Sequence, residues 1–383
     1  MILYAFPTFG DHGRSRLALM ALCVVSTAGL TACAGRPGPE TLDTVAVGDF
    51  QPTRVETLYS VTTRDRAEPG KNVFTTEKTR EPNYASFDVS IPPTHVAANI
   101  EWPKPGRKVD PTTDFAVVSQ SVLNRESLLQ AVRRRETGAP VVFVHGYNYN
   151  FQESLFRLAQ LKTDSNFDGT PILFSWPSLA ALPGYVADKE SATYSRDALA
   201  DMLTDVVRAR KGEVDVFAHS MGGWLTVEAL RQLRLEGKGD VLDRLRVIMA
   251  APDIDEDVFT AQLDVIGRMK TPITILVAPD DRALLVSSVL GAGTQRVGAL
   301  DARNPEVAEA AKRYGITIVD ISSLESVDAT NHNRFFDVKQ LATTLNKPAS
   351  VATLGDAGAF VFDAAAQTVS SPFSLAATVL RQR

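Results

Sequence analysis

The sequence has little cysteine and few histidines. Only two of its 383 residues are cysteines, and both of them, Cys23 and Cys33, lie near the N-terminus. This excludes a disulfide framework and a cysteine-based metal site in the folded body. The five histidines are too scattered for a metal-ligand motif such as HExxH; they are His12, His95, His145, His219 and His332. The sequence therefore implies no metal and no organic cofactor.

Long runs of one charge are also absent. The net charge is −5 at pH 7, and acidic and basic residues are interspersed along the chain. Without a basic patch, nothing supports nucleic acid as a partner. Hydrophobic residues make up 44% and charged residues 22% of the chain, as in folded soluble proteins. A length of 383 residues allows one large α/β domain or two smaller ones.

The most pronounced apolar stretch, Leu17–Leu30, follows a basic flank near the N-terminus. This order is typical of an export signal, and the stretch is at the lower limit for a membrane-spanning helix. It ends in LTAC, Leu30–Cys33, which resembles the lipobox of bacterial lipoproteins. The resemblance implies cleavage before Cys33 and acylation of that cysteine, which would attach the chain to a membrane. An uncleaved anchor or an ordinary signal is the alternative. Ala34 follows the cysteine, and by resemblance to sorted lipoproteins this implies the periplasmic side of the outer membrane in the bacterial cell envelope.

The rest of the chain has two kinds of pattern. Short β-favouring runs separated by turn-forming residues extend from about Val55 to Gln120. After them, continuous apolar runs such as PVVFVHG alternate with helical stretches such as SRDALADMLTDVVRARK. This alternation predicts an α/β fold, with a mostly parallel central sheet flanked by helices on both faces and preceded by N-terminal antiparallel strands. In such folds, active groups collect on the loops at the carboxyl ends of the strands.

The octapeptide VFAHSMGG places Ser220 between a predicted strand and a predicted helix. A nucleophile elbow has this order, and its tight turn needs small residues two positions before and two positions after the serine. Ala218 and Gly222 occupy these positions, and Gly223 allows the helix to approach the sheet. We therefore predict that Ser220 is a catalytic nucleophile.

A serine hydroxyl becomes a good nucleophile when a neighbouring base takes its proton. In this type of fold the chain order is serine, acid, histidine, and His332 is the only histidine after Ser220. His332 lies in the polar loop ATNHNRFFDV and is the predicted base. A solvated loop histidine is the alternative interpretation.

The acid that orients this histidine is expected in a loop that follows a strand. ITILVAPDDRALL provides Asp280 and Asp281, and VIMAAPDIDED provides Asp253 one strand earlier. We prefer Asp281, while Asp280 and then Asp253 remain open. An aspartate in such a loop is often only a helix N-cap.

The last component is an oxyanion hole. FVHGYNYNF ends a predicted strand at His145 and Gly146, and the glycine allows the backbone to turn its N–H groups inward. We predict that the backbone N–H groups of Met221 and Tyr147 hold the oxyanion. Asn148 could hold the loop through its side-chain amide, and a simple strand-ending turn is the alternative.

With these motifs assembled, the chain resembles an α/β-hydrolase, and in particular a bacterial family known as domain of unknown function 900. The resemblance extends from about Leu58 to Asn346 and rests on TTRD, VSIPPTH, FVHGYNYNF, LFSWPS, HSMGGWL, APDIDEDVF, DDRALLVS and the histidine of NHNRFF. It implies the α/β-hydrolase fold and a triad of Ser220, Asp281 and His332. The chain differs at NHNRFF, where relatives tend to read like GHSYF.

These observations divide the chain into a lipoprotein signal peptide (1–32), a flexible tether (33–54), an α/β-hydrolase domain (55–346) and an Ala/Ser-rich tail (347–383). They predict a serine hydrolase that cleaves carboxylic esters, with a small-molecule or lipid ester as substrate. The alternatives are an acyltransferase or amidase acting on envelope lipid or peptide, and an inactive hydrolase-fold binding protein. The segment LAALPGYVADKE, Leu179–Glu190, could line the acyl pocket or be a plain connecting loop.

Overall fold

The computed structural model describes residues 36–46, 52–104, 107–134, 137–291, 293–326, 328–337, 341 and 361–362. The predicted signal peptide, Cys33 and all but two residues of the predicted tail lie outside the described residues. None of the described helices has the length and apolar character needed to cross a bilayer.

The apolar runs form strands that are buried because helices cover both faces of one sheet. The strands are β1 (Arg54–Arg66), β2 (Phe74–Ile91), β3 (Ala116–Leu123), β4 (Val141–Val144), β5 (Pro171–Ser175), β6 (Val214–His219), β7 (Leu245–Ala250), β8 (Ile273–Val277), β9 (Ile316–Asp320) and β10 (Val361–Phe362). Every residue of β4, β5 and β8 is buried, as expected for central parallel strands.

The helices alternate with these strands along the chain. They are α1 (Arg125–Arg134), α2 (Phe151–Ser165), α3 (Tyr185–Tyr194), α4 (Arg196–Ala209), α5 (Met221–Leu235), α6 (Gly239–Leu242), α7 (Glu256–Ile266), α8 (Arg282–Leu290) and α9 (Pro305–Tyr314). The start of α2 shows how the sequence fixes a boundary. Asn150 accepts a hydrogen bond from the backbone N–H of Glu153, whose side chain in turn accepts from the backbone N–H of Asn150, which is a capping box.

The strands of the described residues join in one sheet with the order β10-β9-β8-β7-β6-β4-β5-β1-β2-β3. Strands β1 and β4 to β9 all run parallel to one another. Strands β2 and β3 extend the sheet in the antiparallel direction beyond β1. The predicted mostly parallel sheet with N-terminal antiparallel strands is therefore confirmed. The short β10, antiparallel to β9, was not predicted from the sequence.

Alternate residues of the central strands point into two separate cores. Val142 and Val144 pack in one apolar cluster with α4 and α5, whereas Phe143 between them packs in a second cluster with α2. This alternation is the two-residue period of a strand, and it places a hydrophobic core on each side of the sheet.

Residues 36–46, which belong to the segment predicted to be a flexible tether, pack against the domain. Pro39–Leu42 form a 3-10 helix in which Thr41 and Leu42 are buried, and Leu42 belongs to the second apolar cluster. The backbone N–H of Val45 donates to the carbonyl of Val117 at 2.9 Å. These contacts could not be predicted from the polar, Pro/Gly-rich composition of the segment, because only a few of its residues make them.

Candidate active site

Ser220 lies on a sharp turn between β6 and α5. Its backbone has φ 53° and ψ −120°, a conformation that residues other than glycine rarely adopt. A Cβ atom at Gly222 would lie 2.4 Å from the carbonyl oxygen of Val144 and 2.5 Å from that of His145, so a larger residue does not fit there. The turn has the strained geometry of a nucleophile elbow.

Asp281 and His332 are joined directly. Nδ1 of His332 lies 2.6 Å from Oδ2 of Asp281, whose side chain is fully buried. The other oxygen of Asp281, Oδ1, accepts from the backbone N–H of Leu284 at 3.0 Å and caps α8. A buried carboxylate on Nδ1 fixes the ring orientation and stabilises the imidazolium that forms when the ring takes a proton.

The other two candidate acids have different partners. Asp280 forms a bidentate pair with Arg334, with both N–O distances at 2.6 Å, and it also accepts from the side-chain amide of Asn331 at 3.0 Å. Arg334 and Asn331 flank His332 in sequence, so Asp280 holds the loop that carries the histidine.

Asp253 is buried and makes its contacts with other residues. It accepts from Ser287 Oγ at 2.8 Å and from Tyr185 Oη at 2.9 Å, and Nε of Arg296 lies 3.3 Å from it. The structure thus brings Asp281 to His332 and gives Asp253 a separate network.

The imidazole of His332 lies beside the elbow but makes no hydrogen bond to Ser220 within the described part of the chain. Its ring centroid is 4.7 Å from that of His219, the residue before Ser220. The Ser220 side chain is almost buried, with 4% of its surface exposed. The histidine and the serine therefore share one small region at the carboxyl end of β6.

The loop after β4 lies against the serine, as expected for an oxyanion hole. A Cβ atom at Gly146 would lie 3.1 Å from Cβ of Ser220 and 2.8 Å from Nδ1 of His219. The backbone N–H groups of Met221 and Tyr147 donate to no other described residue, so both are available to a ligand. Asn148 adopts φ 61°, and its side-chain oxygen accepts from Arg36 at 3.0 Å.

Two other histidines near the site are structural. His145 lies between carbonyl oxygens of Gly146 and Trp176, at 2.9 and 3.1 Å, and burial lowers its pKa to about 3. Both ring nitrogens of His219 are without a hydrogen-bond partner among the described residues, and burial lowers its pKa well below the usual value. Both rings therefore stay neutral at pH 7 and pack as parts of the interior.

Arg64 is a buried residue of the site region to which the sequence analysis gave no role, although it lies in the TTRD motif. Its guanidinium donates to the carbonyl oxygens of Thr75, Ser178 and Tyr149 at 3.1–3.2 Å. Burial lowers its pKa to about 10, so it remains charged at pH 7. The charge ties the antiparallel extension to two loops beside the serine.

The segment Leu179–Glu190 is neither an open loop nor a simple connection. It contains a 3-10 helix, Leu182–Gly184, and most of α3. The hydroxyl of Tyr147 donates to the carbonyl oxygen of Leu182, and the ring of Tyr147 packs edge-on against Tyr185, with centroids 5.4 Å apart. The segment therefore lies over the loop that carries the predicted oxyanion donor.

No group of three or more metal-ligating side chains is arranged to hold a metal ion in the part of the chain that the structure describes. The chemistry that the arrangement offers is nucleophilic: a strained serine lies beside a carboxylate-bound histidine and near two backbone N–H groups without a partner among the described residues.

A family model described as alpha/beta hydrolase of unknown function (DUF900) matches residues 120–348. This match confirms the resemblance inferred from the sequence motifs, and together with the sheet it confirms the α/β-hydrolase fold. No curated protein matches the sequence at a significant level.

Several solved structures match parts of the chain at low identity. Lipase B of Aspergillus fumigatus is 15% identical, with 40% of this chain and 42% of that chain covered and a TM-score of 0.28. An esterase of Pyrobaculum calidifontis is 13% identical, with 71% of this chain and 76% of that chain covered and a TM-score of 0.32. An esterase of Rhizomucor miehei is 10% identical, with 76% of this chain and 84% of that chain covered and a TM-score of 0.34. The chain thus spans less than half the length of the lipase.

Proposed function

Because the chain belongs to the α/β-hydrolase family of unknown function DUF900, we propose that it is a serine hydrolase that cleaves carboxylic esters. The observation that carries this proposal is the 2.6 Å hydrogen bond between Asp281 and His332, formed beside a serine held at φ 53°. These three side chains come from distant parts of the chain, and a merely structural role for each would not require them at one edge of the sheet.

In the proposed reaction, Ser220 Oγ attacks the ester carbonyl while Nε2 of His332 takes its proton. The backbone N–H groups of Met221 and Tyr147 hold the oxyanion of the tetrahedral intermediate. His332 then gives the proton to the leaving alcohol, and the acyl-enzyme remains. Water, deprotonated by the same imidazole, releases the acid in the second half of the reaction. The missing hydrogen bond between His332 and Ser220 is compatible with this scheme, since catalytic hydrogen bonds often tighten only with substrate bound.

Esters are the preferred substrates because their alcohols leave with less help than the amines of amides do.

We further propose that Cys33 is acylated and that the mature chain is attached to the periplasmic side of the outer membrane. Labelling with radioactive palmitate, lost in Cys33→Ala, tests this attachment.

A serine-directed fluorophosphonate probe tests the proposed nucleophile. We expect wild-type protein to be labelled, Ser220→Ala to be unlabelled and His332→Ala to be labelled much more slowly. Ser288→Ala, on the nearby helix α8, is the matched control and keeps wild-type labelling. Hydrolysis of p-nitrophenyl esters of graded chain length then defines the acyl preference.

Two results contradict this function. Folded wild-type protein that resists the probe and hydrolyses no ester is a binding protein instead. Product analysis in which an added alcohol or amine outcompetes water assigns the same triad to acyl transfer.

A further inference from the structure

An apolar surface borders the candidate site. We call it the apolar rim; its residues are Leu179, Leu182, Val186, Leu285, Val286, Val289 and Leu290, with exposures from 42% for Leu179 to 77% for Val289. These seven are more than half of the thirteen large hydrophobic side chains that are exposed in the described residues. Single exposed apolar residues are ordinary, but a concentration of them marks an interaction surface.

Helix α8 supplies most of the apolar rim. It has the sequence RALLVSSVL and contains no acidic residue. Only Leu284 and Ser287 of this helix are buried, so one face holds the helix to the domain. The opposite face is apolar except for Arg282 at its start. A helix on the surface of a soluble protein normally has a polar outer face.

The two parts of the apolar rim form one surface because α3 and α8 are held together. Tyr185 of α3 and Ser287 of α8 donate to the same carboxylate, that of Asp253. Val186 and Leu290 line the same pocket of about 420 Å³ between the helices. At the other end, Tyr147 donates to the carbonyl of Leu182, which connects the rim to the predicted oxyanion loop.

The N-terminal segment joins the domain at this same place. The guanidinium of Arg36 donates to the carbonyl of Ala180, between Leu179 and Leu182, and to the side chain of Asn148. Cys33 precedes Arg36 by three residues, and three residues span at most about 11 Å. If a membrane anchor is formed at Cys33, or by the apolar stretch before it, the chain therefore connects that anchor to the domain at a point beside the apolar rim.

We infer that the apolar rim docks on the phospholipid bilayer that holds the anchor, and that the substrate is an ester of that bilayer. This substrate assignment rests on the proposed serine-hydrolase function. The anchor keeps the domain at the bilayer surface, and an apolar face beside the anchor adds a second contact with the bilayer. Seated in this way, the enzyme takes a lipid acyl chain directly from the membrane into the site, without exposing the chain to water.

The position of the rim is tested with the full-length, anchored protein in vesicles of phosphatidylethanolamine and phosphatidylglycerol. The sequence has no cysteine other than Cys23 and Cys33. In the proposed mature chain Cys23 has been removed with the signal peptide and Cys33 is acylated, so Val289→Cys carries the single environment-sensitive NBD label. We expect its emission to move to shorter wavelength on vesicles and to be quenched by brominated lipids. Leu235→Cys, at the end of α5, is the matched control and keeps its aqueous emission.

The function of the rim is tested with Val286→Glu/Val289→Glu, compared with Leu235→Glu. The two valines that would enter the bilayer are replaced by charged side chains, so we expect the rate of hydrolysis of vesicle lipid to fall by about tenfold or more. Hydrolysis of soluble p-nitrophenyl butyrate changes by less than about twofold, because the rim is outside the catalytic residues. Leu235→Glu leaves both rates unchanged.

Three outcomes overturn the inference, each in a different way. A label at residue 289 that stays in water on vesicles, with normal hydrolysis of the soluble ester, refutes the docking but leaves the proposed function intact. A label that is shielded from iodide without vesicles shows that a second copy or the C-terminal segment covers the rim. A label that enters the bilayer on a protein that hydrolyses neither ester refutes the substrate, together with the proposed function.

Discussion

The two carboxylate oxygens of Asp281 serve different partners, which separates the chemical role of this residue from its structural role. Oδ2 holds His332, and Oδ1 caps α8 through the backbone N–H of Leu284. Asparagine is as good an N-cap as aspartate, but it cannot stabilise a charged imidazole. A single substitution can therefore remove one role and keep the other.

We expect Asp281→Asn to lower kcat/KM on a soluble ester by roughly 10⁴-fold, while the unfolding free energy stays nearly constant. Asp281→Ala loses the cap as well, which costs about 1 kcal/mol more in stability. Steady-state kinetics and urea unfolding measure the two effects. Asp280→Asn is the control and loses much less activity, because it only weakens the support from Arg334. Full activity of Asp281→Asn would remove it from the triad.

The sequence could only partly decide which aspartate is the acid of the proposed triad. The position after β8 favoured the pair of Asp280 and Asp281 over Asp253, and in the structure Oδ2 of Asp281 lies 2.6 Å from Nδ1 of His332. Two adjacent aspartates have the same local signal, and what separates them is Arg334, 54 positions after Asp280. A pairing over that distance depends on the folded loop, so residue order alone left the alternative open.

At the scale of elements, the elbow depends on close packing between α5 and the end of β4. The side chain missing from Gly222 leaves room for two backbone carbonyl oxygens, which cannot move without disturbing the central strand. Gly239, at the start of α6, has a different environment. A Cβ atom there would meet only the end of the Arg234 side chain, at 3.2 Å.

Gly222→Ala is therefore expected to lower the unfolding free energy by about 1–3 kcal/mol and to slow fluorophosphonate labelling. Gly239→Ala is the matched control and is neutral or slightly stabilising, because alanine is the better helix former. Urea unfolding and labelling rates of both variants check the prediction. Equal stability of the two variants would mean that the turn has another geometry.

The strands and helices of the core could be predicted because each type of element has its own spacing of apolar residues. Buried strands such as β8 read as apolar runs, and helices such as α4 repeat apolar residues at helical spacing. Residues 36–46 and the helical part of Leu179–Glu190 were not predicted. Their structure depends on distant contacts, for example Tyr185 with Asp253, 68 positions apart.

For the whole molecule, the two buried histidines couple stability to pH. An unfolded histidine has a pKa near 6.5, whereas burial lowers the pKa of His145 to about 3 and that of His219 well below its usual value. Between about pH 6.5 and pH 3 the unfolded chain therefore binds more protons than the folded chain. The stability that these neutral rings provide is complete above pH 6.5 and is lost as the pH falls.

His145 contributes a slope of up to about 1.4 kcal/mol per pH unit in that interval, and His219 adds a slope of the same sign below pH 6.5. We expect the unfolding free energy, measured in urea at several pH values from 7.5 to 4.5, to fall with pH. In His145→Gln the side chain at this position does not titrate. The slope should therefore be smaller by the contribution of one histidine, even if the unfolding free energy of the variant at pH 7.5 is lower. An unchanged slope in this variant would show that His145 is protonated in the folded protein.

Arg64 has a mechanical consequence for the segments that surround it. One buried cation holds carbonyl groups of three segments, and separating any of them would strand its charge in the interior. The loops at Tyr149 and Ser178 are therefore held firmly to the β1–β2 hairpin. We expect any local rearrangement of the domain to occur in segments that Arg64 does not hold.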